Sequence, residues 1–185
     1  MKNLLKKVAI IASLGIISLV NASESFMFQD GVLTSNDGKI AKLFVGVPVS
    51  VKKDMDKKAE VTIKGFKFDD NNIYSSEGKE LIIATIDSDF KVTKKANNEV
   101  ELNGIIDKEF LTAISAEPWE EHEEFYFEMC TQCHAAPKVG HHSMMEWSAI
   151  FDTMKGFAKL DVEESSYLIR YLKSNAKDGL IKVEH

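Results

Sequence analysis

Five consecutive residues, Cys130-Thr131-Gln132-Cys133-His134, constrain this chain more than any others. Two thiols three positions apart can add to the two vinyl groups of one porphyrin, and the adjoining imidazole then falls beneath the iron. The motif therefore predicts one covalently bound haem c, held by Cys130 and Cys133, with His134 as the proximal iron ligand. The chain has 2 cysteines and both belong to the motif. Neither a disulfide framework nor a four-cysteine metal site is left open.

Other chemistries share the pentapeptide. A dithiol oxidoreductase places its Cys-x-x-Cys at a helix N-terminus after a strand, inside a βαβ unit. Here the motif closes a predicted helix, and no βαβ pattern surrounds it. A zinc site needs a fourth donor, which His141 or His142 would supply. A chance occurrence of so short a motif is the bland reading.

The N-terminus reads as an export signal. Lys2, Lys6 and Lys7 form a basic start, and Val8 to Val20 is an apolar run too short for an ordinary membrane span. Val20-Asn21-Ala22 precedes a cut expected between Ala22 and Ser23, the alternative being an uncleaved anchor. Residues 1–22 are thus assigned to the signal, and the remainder is expected in the periplasm, soluble once the signal is removed. Removing three lysines and no acids takes the net charge from −6 to −9. A chain so acidic has no footprint for nucleic acid or anionic lipid, and its partners should be basic.

Residues 23–115 show short alternating runs broken by turn residues, the pattern of half-buried strands. Val47, Val49 and Val51 alternate, as do Val61 and Ile63, while Leu81 to Ile86 is more continuous, as for a strand buried on both sides. Phe90, Val92, Val100 and Leu102 predict a hairpin. Asn36-Asp37-Gly38, Asp69-Asp70-Asn71-Asn72 and Ala96-Asn97-Asn98 predict turns. About six strands in this length predict a small, bent antiparallel barrel of SH3-like size, serving as scaffold or docking module. No histidine or cysteine lies in this half.

Residues 116–185 carry helical periodicity. Pro118 suits a first helical position. Trp119, His122, Tyr126, Met129, Cys130 and Cys133 fall on one face, with Glu120, Glu121, Glu123, Glu124 and Glu128 opposite. That acidic side reads first as a solvated face and second as a docking patch, and His122 reads as a packed or surface histidine. After the motif, a carbonyl of the Ala135-Ala136-Pro137 turn, that of Pro137 above all, is expected to accept the second ring N–H of His134. A helix from about Ser143 to Lys155 carries Trp147, Ile150, Phe151 and Met154, with Gly156 ending it. Asp161 and Glu164 form a capping box for a last helix in which Leu168, Ile169 and Leu172 face inward. The class is α+β: the SH3-like β domain, then a small all-α cytochrome c domain. Met154, twenty residues beyond His134, is the expected sixth ligand. His141 and His142 are fallbacks that must reach around the porphyrin within ~25 Å of chain. Met144 or Met145 come last, ordinary core filling being the bland reading of each methionine.

These residues resemble the C-terminal part of the pentahaem c-type cytochromes that deliver electrons to periplasmic trimethylamine N-oxide reductases. The likeness runs through Cys130 to Pro137, continues with Trp147 seven residues before Met154, and ends in Tyr171-Leu172-Lys173-Ser174-Asn175-Ala176-Lys177-Asp178. It extends more loosely to Gly78-Lys79-Glu80-Leu81-Ile82-Ile83-Ala84 and to Glu117-Pro118-Trp119. The resemblance implies a one-haem electron carrier of anaerobic respiration, not itself an enzyme, that serves a molybdenum-containing S- or N-oxide reductase. Cys130 and Cys133 would hold the haem, His134 and Met154 would ligate it, and Pro137 and Trp147 would line it. The family's N-terminal multihaem portion has no counterpart here, so the expected donor is a separate, membrane quinol-linked cytochrome system. A haem enzyme or gas sensor with an open sixth position is the alternative within haem chemistry.

Overall fold

A computed structural model describes residues 23–181. The export signal expected over residues 1–22 lies outside the described residues.

Ten antiparallel strands form the first half: β1 (Ser23–Met27), β2 (Gly31–Thr34), β3 (Ile40–Leu43), β4 (Pro48–Met55), β5 (Lys58–Lys67), β6 (Asn72–Tyr74), β7 (Ile82–Ile86), β8 (Thr93–Lys94), β9 (Glu99–Asp107) and β10 (Leu111–Thr112). β5 pairs along one edge with β9 from Lys58 to Phe66, and along the other with β4 and then β6. β9 also meets β2 at Thr34–Ile105, so the path β5-β6-β7-β3-β2-β9 closes on itself into a barrel-like ring. The alternation in β5 explains its place: Ala59, Val61 and Ile63 are buried, while Lys58, Glu60 and Lys64 face water. Thr62 breaks the pattern by being buried, and its hydroxyl donates to Asn103 Oδ1 at 2.6 Å. In β7, Thr85 is exposed and Ile82 half-buried, so this strand is covered on one face more than the other, not on both as its composition suggested.

Turn chemistry falls where expected at two hairpins. Gly38 takes φ +78°, and Asn97 and Asn98 take φ 54° and 62° between β8 and β9, a left-handed pair that small polar residues tolerate. The strand count exceeds the six expected because short strands such as β2, β3, β6 and β10 carry little periodic signal.

Three helices follow: α1 (Glu120–Cys130), α2 (Met144–Met154) and α3 (Val162–Ser174). Pro118 sits in a 3-10 turn, Glu117–Trp119, that leads into α1. α2 and α3 each open on a capping box, Ser143 with Glu146 and Asp161 with Glu164. α2 stops at Met154 without help from Gly156, and the left-handed residue in the turn beyond is Lys159 at φ 55°. Among the described residues no helix is long and apolar enough to cross a membrane.

Two clusters of buried residues result. One fills the barrel with Met27, Leu33, Leu43, Val61, Ile63, Ile83 and Leu102 among others. The other joins the helices through Trp119, Tyr126, Trp147, Phe151, Leu168, Tyr171 and Leu172, with Leu81 contributed by the β half. α3 is latched to the strands by cations. Arg170 donates to Val45 O at 2.7 and 3.2 Å and to Ile82 O at 2.9 Å, and Lys173 Nζ donates to Glu80 O at 2.9 Å. Burial lowers the Arg170 pKa to about 10, so it stays charged at neutral pH. Gly46 completes the seam at φ +79°, with Trp119 packed so closely that a Cβ there would lie 1.8 Å from its ring.

Candidate haem-attachment site

α1 delivers the motif. Its buried residues His122 and Tyr126, with Trp119 just before it, point into the helical cluster, and the five glutamates lie on the exposed side. Cys130 is the last residue of α1 and half-buried; Cys133 and His134 follow in the turn and are exposed. Both thiols are free. Burial pushes the Cys130 thiol above its ordinary pKa. That is the reverse of the lowered pKa a thiol oxidoreductase needs, and the motif ends a helix where such an enzyme would start one.

His134 does not meet the Pro137 carbonyl expected for it. Its Nδ1 lies 2.9 Å from Ala135 O, and Pro137 O accepts instead from the Tyr126 hydroxyl at 2.6 Å. The backbone turns so soon after the histidine that the carbonyl of the next residue is the one within reach. Because a carbonyl only accepts, a proton on Nδ1 would make this contact a hydrogen bond and leave the Nε2 lone pair for a metal. The orienting role survives with a different partner.

Tyr126 and Trp147 together hold the segment after His134. Trp147 is buried and its Nε1 donates to Val139 O at 2.8 Å, while the two rings meet edge to face at 6.3 Å. Burial raises the Tyr126 pKa, so its hydroxyl remains a donor to Pro137 O. Lys177 N donates to His142 O at 2.9 Å, and Asp178 accepts from Met144 N at 2.7 Å. Sequence reasoning placed Tyr126 on the inner face but missed its bond, and it missed Asp178 in this role, since neither contact leaves a periodic trace.

The sixth-ligand candidates part company. Met154 ends α2 and is 41% exposed, with Phe157 beyond it at 79%. Met144 is buried in the helical core, and Met145 is exposed. His141 is exposed, and His142 rests edge-on against Trp147 at 5.0 Å. Among the described residues no three histidine, cysteine or acidic side chains gather as a metal cluster, so the zinc reading has no assembled donor set.

His122 is packed, not ligating. It stacks on Tyr167 at 3.6 Å and meets Trp119 at 5.2 Å, and desolvation, helped by the nearby Arg170 charge, lowers its pKa to about 4.

These residues fit a haem c. Two free thiols and one oriented imidazole share the end of α1.

The comparisons point to c-type cytochromes, the class that uses a motif such as Cys130–His134. The cytochrome c-type protein TorC of Escherichia coli strain K12 is 37% identical over 60 residues, 32% of this chain and 15% of that protein. The cytochrome c-type protein TorY of Escherichia coli O157:H7 is 24% identical over 175 residues, 87% of this chain and 46% of that protein. The chain thus covers less than half the length of each of these relatives. No family profile and no solved structure matches it.

Proposed function

We propose that the chain is an exported, periplasmic monohaem cytochrome c that passes single electrons to a molybdenum-containing S- or N-oxide reductase. The observation that carries this reading is the Cys130–His134 pentapeptide at the end of α1, with both thiols free and His134 Nδ1 held 2.9 Å from Ala135 O. Similarity to TorC and TorY supports the reductase link. On this reading residues 23–115 are an SH3-like docking domain and residues 116–185 a small cytochrome c domain.

Cys130 and Cys133 would hold the haem covalently, and His134 Nε2 would ligate its iron. Met154 is the distal ligand of choice, with His141 or His142 in reserve. A bound haem c supplies a one-electron iron couple whose potential follows ligand identity and burial. The chain's own residues do the positioning. The Ala135 carbonyl orients the imidazole, and Tyr126 and Trp147 hold residues 137–139, so the segment carrying His134 is anchored to α1 and α2. Pro137 and Trp147 thus serve the site as struts. The electron donor on this reading is a membrane quinol-linked cytochrome system.

Expression with haem-maturation machinery tests the assignment. The chain should show a c-type visible spectrum, and the oxidised form a weak charge-transfer band near the red end that reports a thioether ligand. Met154→Ala should abolish that band and open the iron to small ligands. A surviving band in Met154→Ala, with six-coordination lost in His141→Ala, would transfer the ligand role to His141.

A further inference from the structure

A broad concavity lies away from the motif. A groove of about 1570 Å3 runs between the strands and the helices, and Cys130, Cys133 and His134 take no part in lining it. Glu120 and Glu121 stand on its rim at the first turn of α1. At 1.5 Å of rise per residue, roughly 15 Å of helix separates them from Cys130.

The charges lining this groove are unevenly satisfied. Its cations are all engaged. Lys42 pairs with Asp30 at 2.9 Å, Lys79 lies 4.0 Å from the Phe68 ring centre, and Arg170 and Lys173 are spent on backbone carbonyls. Three of its carboxylates are also engaged: Asp30 with Lys42, Glu80 with the Ser76 hydroxyl, and Glu117 with the Thr112 hydroxyl. Glu120, Glu121 and Glu163 are exposed and accept from no cation or side-chain donor among the described residues. Beside them Val162 is 82% exposed, and Phe28 lines the same groove at 41%.

We propose that this groove seats a basic segment of a partner protein, a helix or loop presenting lysine or arginine beside an aliphatic side chain. The unmatched carboxylates take the cations, and Val162 and Phe28 receive the aliphatic group. A partner held there leaves Cys133 and His134 open at the far end of α1, so one protein is gripped while another exchanges electrons. That separation of grip from exchange rests on the haem c reading; the basic occupant follows from the groove alone.

The test uses the full haem-bearing chain and, as probe, a short monomeric lysine–leucine amphipathic peptide followed by fluorescence anisotropy at low salt. Glu121→Lys with Glu163→Lys should weaken binding about tenfold or more, and Val162→Ser about threefold. Glu124→Lys with Glu128→Lys makes the same change of net charge on α1 outside the groove and should cost less than about twofold. Hydrogen exchange on peptide binding should slow at residues 117–122 and 162–167. Equal weakening by the two double variants, or protection confined to residues 130–157, would overturn the proposal. The visible spectrum of each variant reports haem attachment separately. A chain that takes up no haem removes the separation of grip from exchange, and the peptide titration still decides the groove.

Discussion

The two motif thiols differ in their surroundings. Cys133 is exposed, whereas Cys130 is half-buried at the end of α1 with its thiol pKa pushed up by that burial. A protonated, shielded thiol reacts slowly with alkylating agents, because the thiolate is the nucleophile. In the haem-free chain, iodoacetamide should modify Cys133 at least several-fold faster than Cys130, read by peptide mass spectrometry at neutral pH. In the haem-bearing chain neither cysteine should label. Labelling of both after growth with haem-maturation machinery would remove the thioether assignment. His122 makes a second prediction at this scale. Its pKa falls from 6.5 to about 4 on folding, because burial between Trp119 and Tyr167 and the nearby Arg170 disfavour the imidazolium. The unfolded chain therefore binds the proton more readily. The stability this group contributes is complete above about pH 6.5 and is lost as pH falls toward 4. The loss amounts to at most roughly 3 kcal/mol. His122→Phe should flatten the acid limb, so its melting temperature should fall less than that of the natural chain between neutral pH and the folded-state pKa. An identical slope in both would mean the imidazole is solvated.

α3 is the element on which the two halves meet. Arg170 satisfies Val45 O and Ile82 O, and the guanidinium lies 5.1 Å from the Phe44 ring centre. Arg170→Met keeps the apolar stem but strands two carbonyls, at roughly 1–3 kcal/mol each. Both tryptophans, Trp119 and Trp147, belong to the helical cluster, and Trp119 also meets Gly46 at the seam, so their fluorescence reports that half and its join to the strands. In Arg170→Met the fluorescence transition in urea should move to lower denaturant than the far-ultraviolet circular dichroism of the strands. Coincident transitions would show that the latch carries no coupling. The sequence revealed α3 well: Asp161 and Glu164 marked its start, and Leu168 and Leu172 turned inward, while Tyr167 and Tyr171 meet α1 through His122 and Tyr126. The latch itself was hidden. Arg170 and its acceptors are 125 and 88 residues apart, and a backbone carbonyl has no signature in sequence. Length limited the β half in the same way. β5 and β9 alternate over most of their ten and nine residues and were visible, whereas short strands such as β6 and β10 leave little periodic trace and are held by their neighbours' hydrogen bonds. The motif was legible as a spacing, but its orienting carbonyl depended on how tightly the chain turned after His134.

Charge is the property of the whole molecule that bears on exchange with partners. Residues 116–181 carry twelve acidic side chains against six basic ones, a net −6; residues 23–115 carry sixteen against thirteen, a net −3. The helical part therefore holds most of the excess in fewer residues. The described ion pairs lie mainly on the β half, only Lys155 with Asp152 belonging to the helices. A basic partner is drawn to the helical end before any contact forms, which raises the encounter rate more than the final affinity. Screening reaches about 10 Å at 0.1 M salt, so the second-order rate of electron transfer from the reduced chain to an S- or N-oxide reductase should fall steeply as ionic strength rises through that value. The rate with a small neutral dye should stay flat, since such a molecule feels no long-range field. In the organism, loss of the chain should stop oxide reduction from physiological donors while the reductase keeps its activity with artificial reductants. Full respiration on both sulfoxides and amine oxides without this chain would sink the reductase link. A salt-independent rate with the reductase would instead place docking on apolar contact, leaving the excess of carboxylates on α1 as a solvated face.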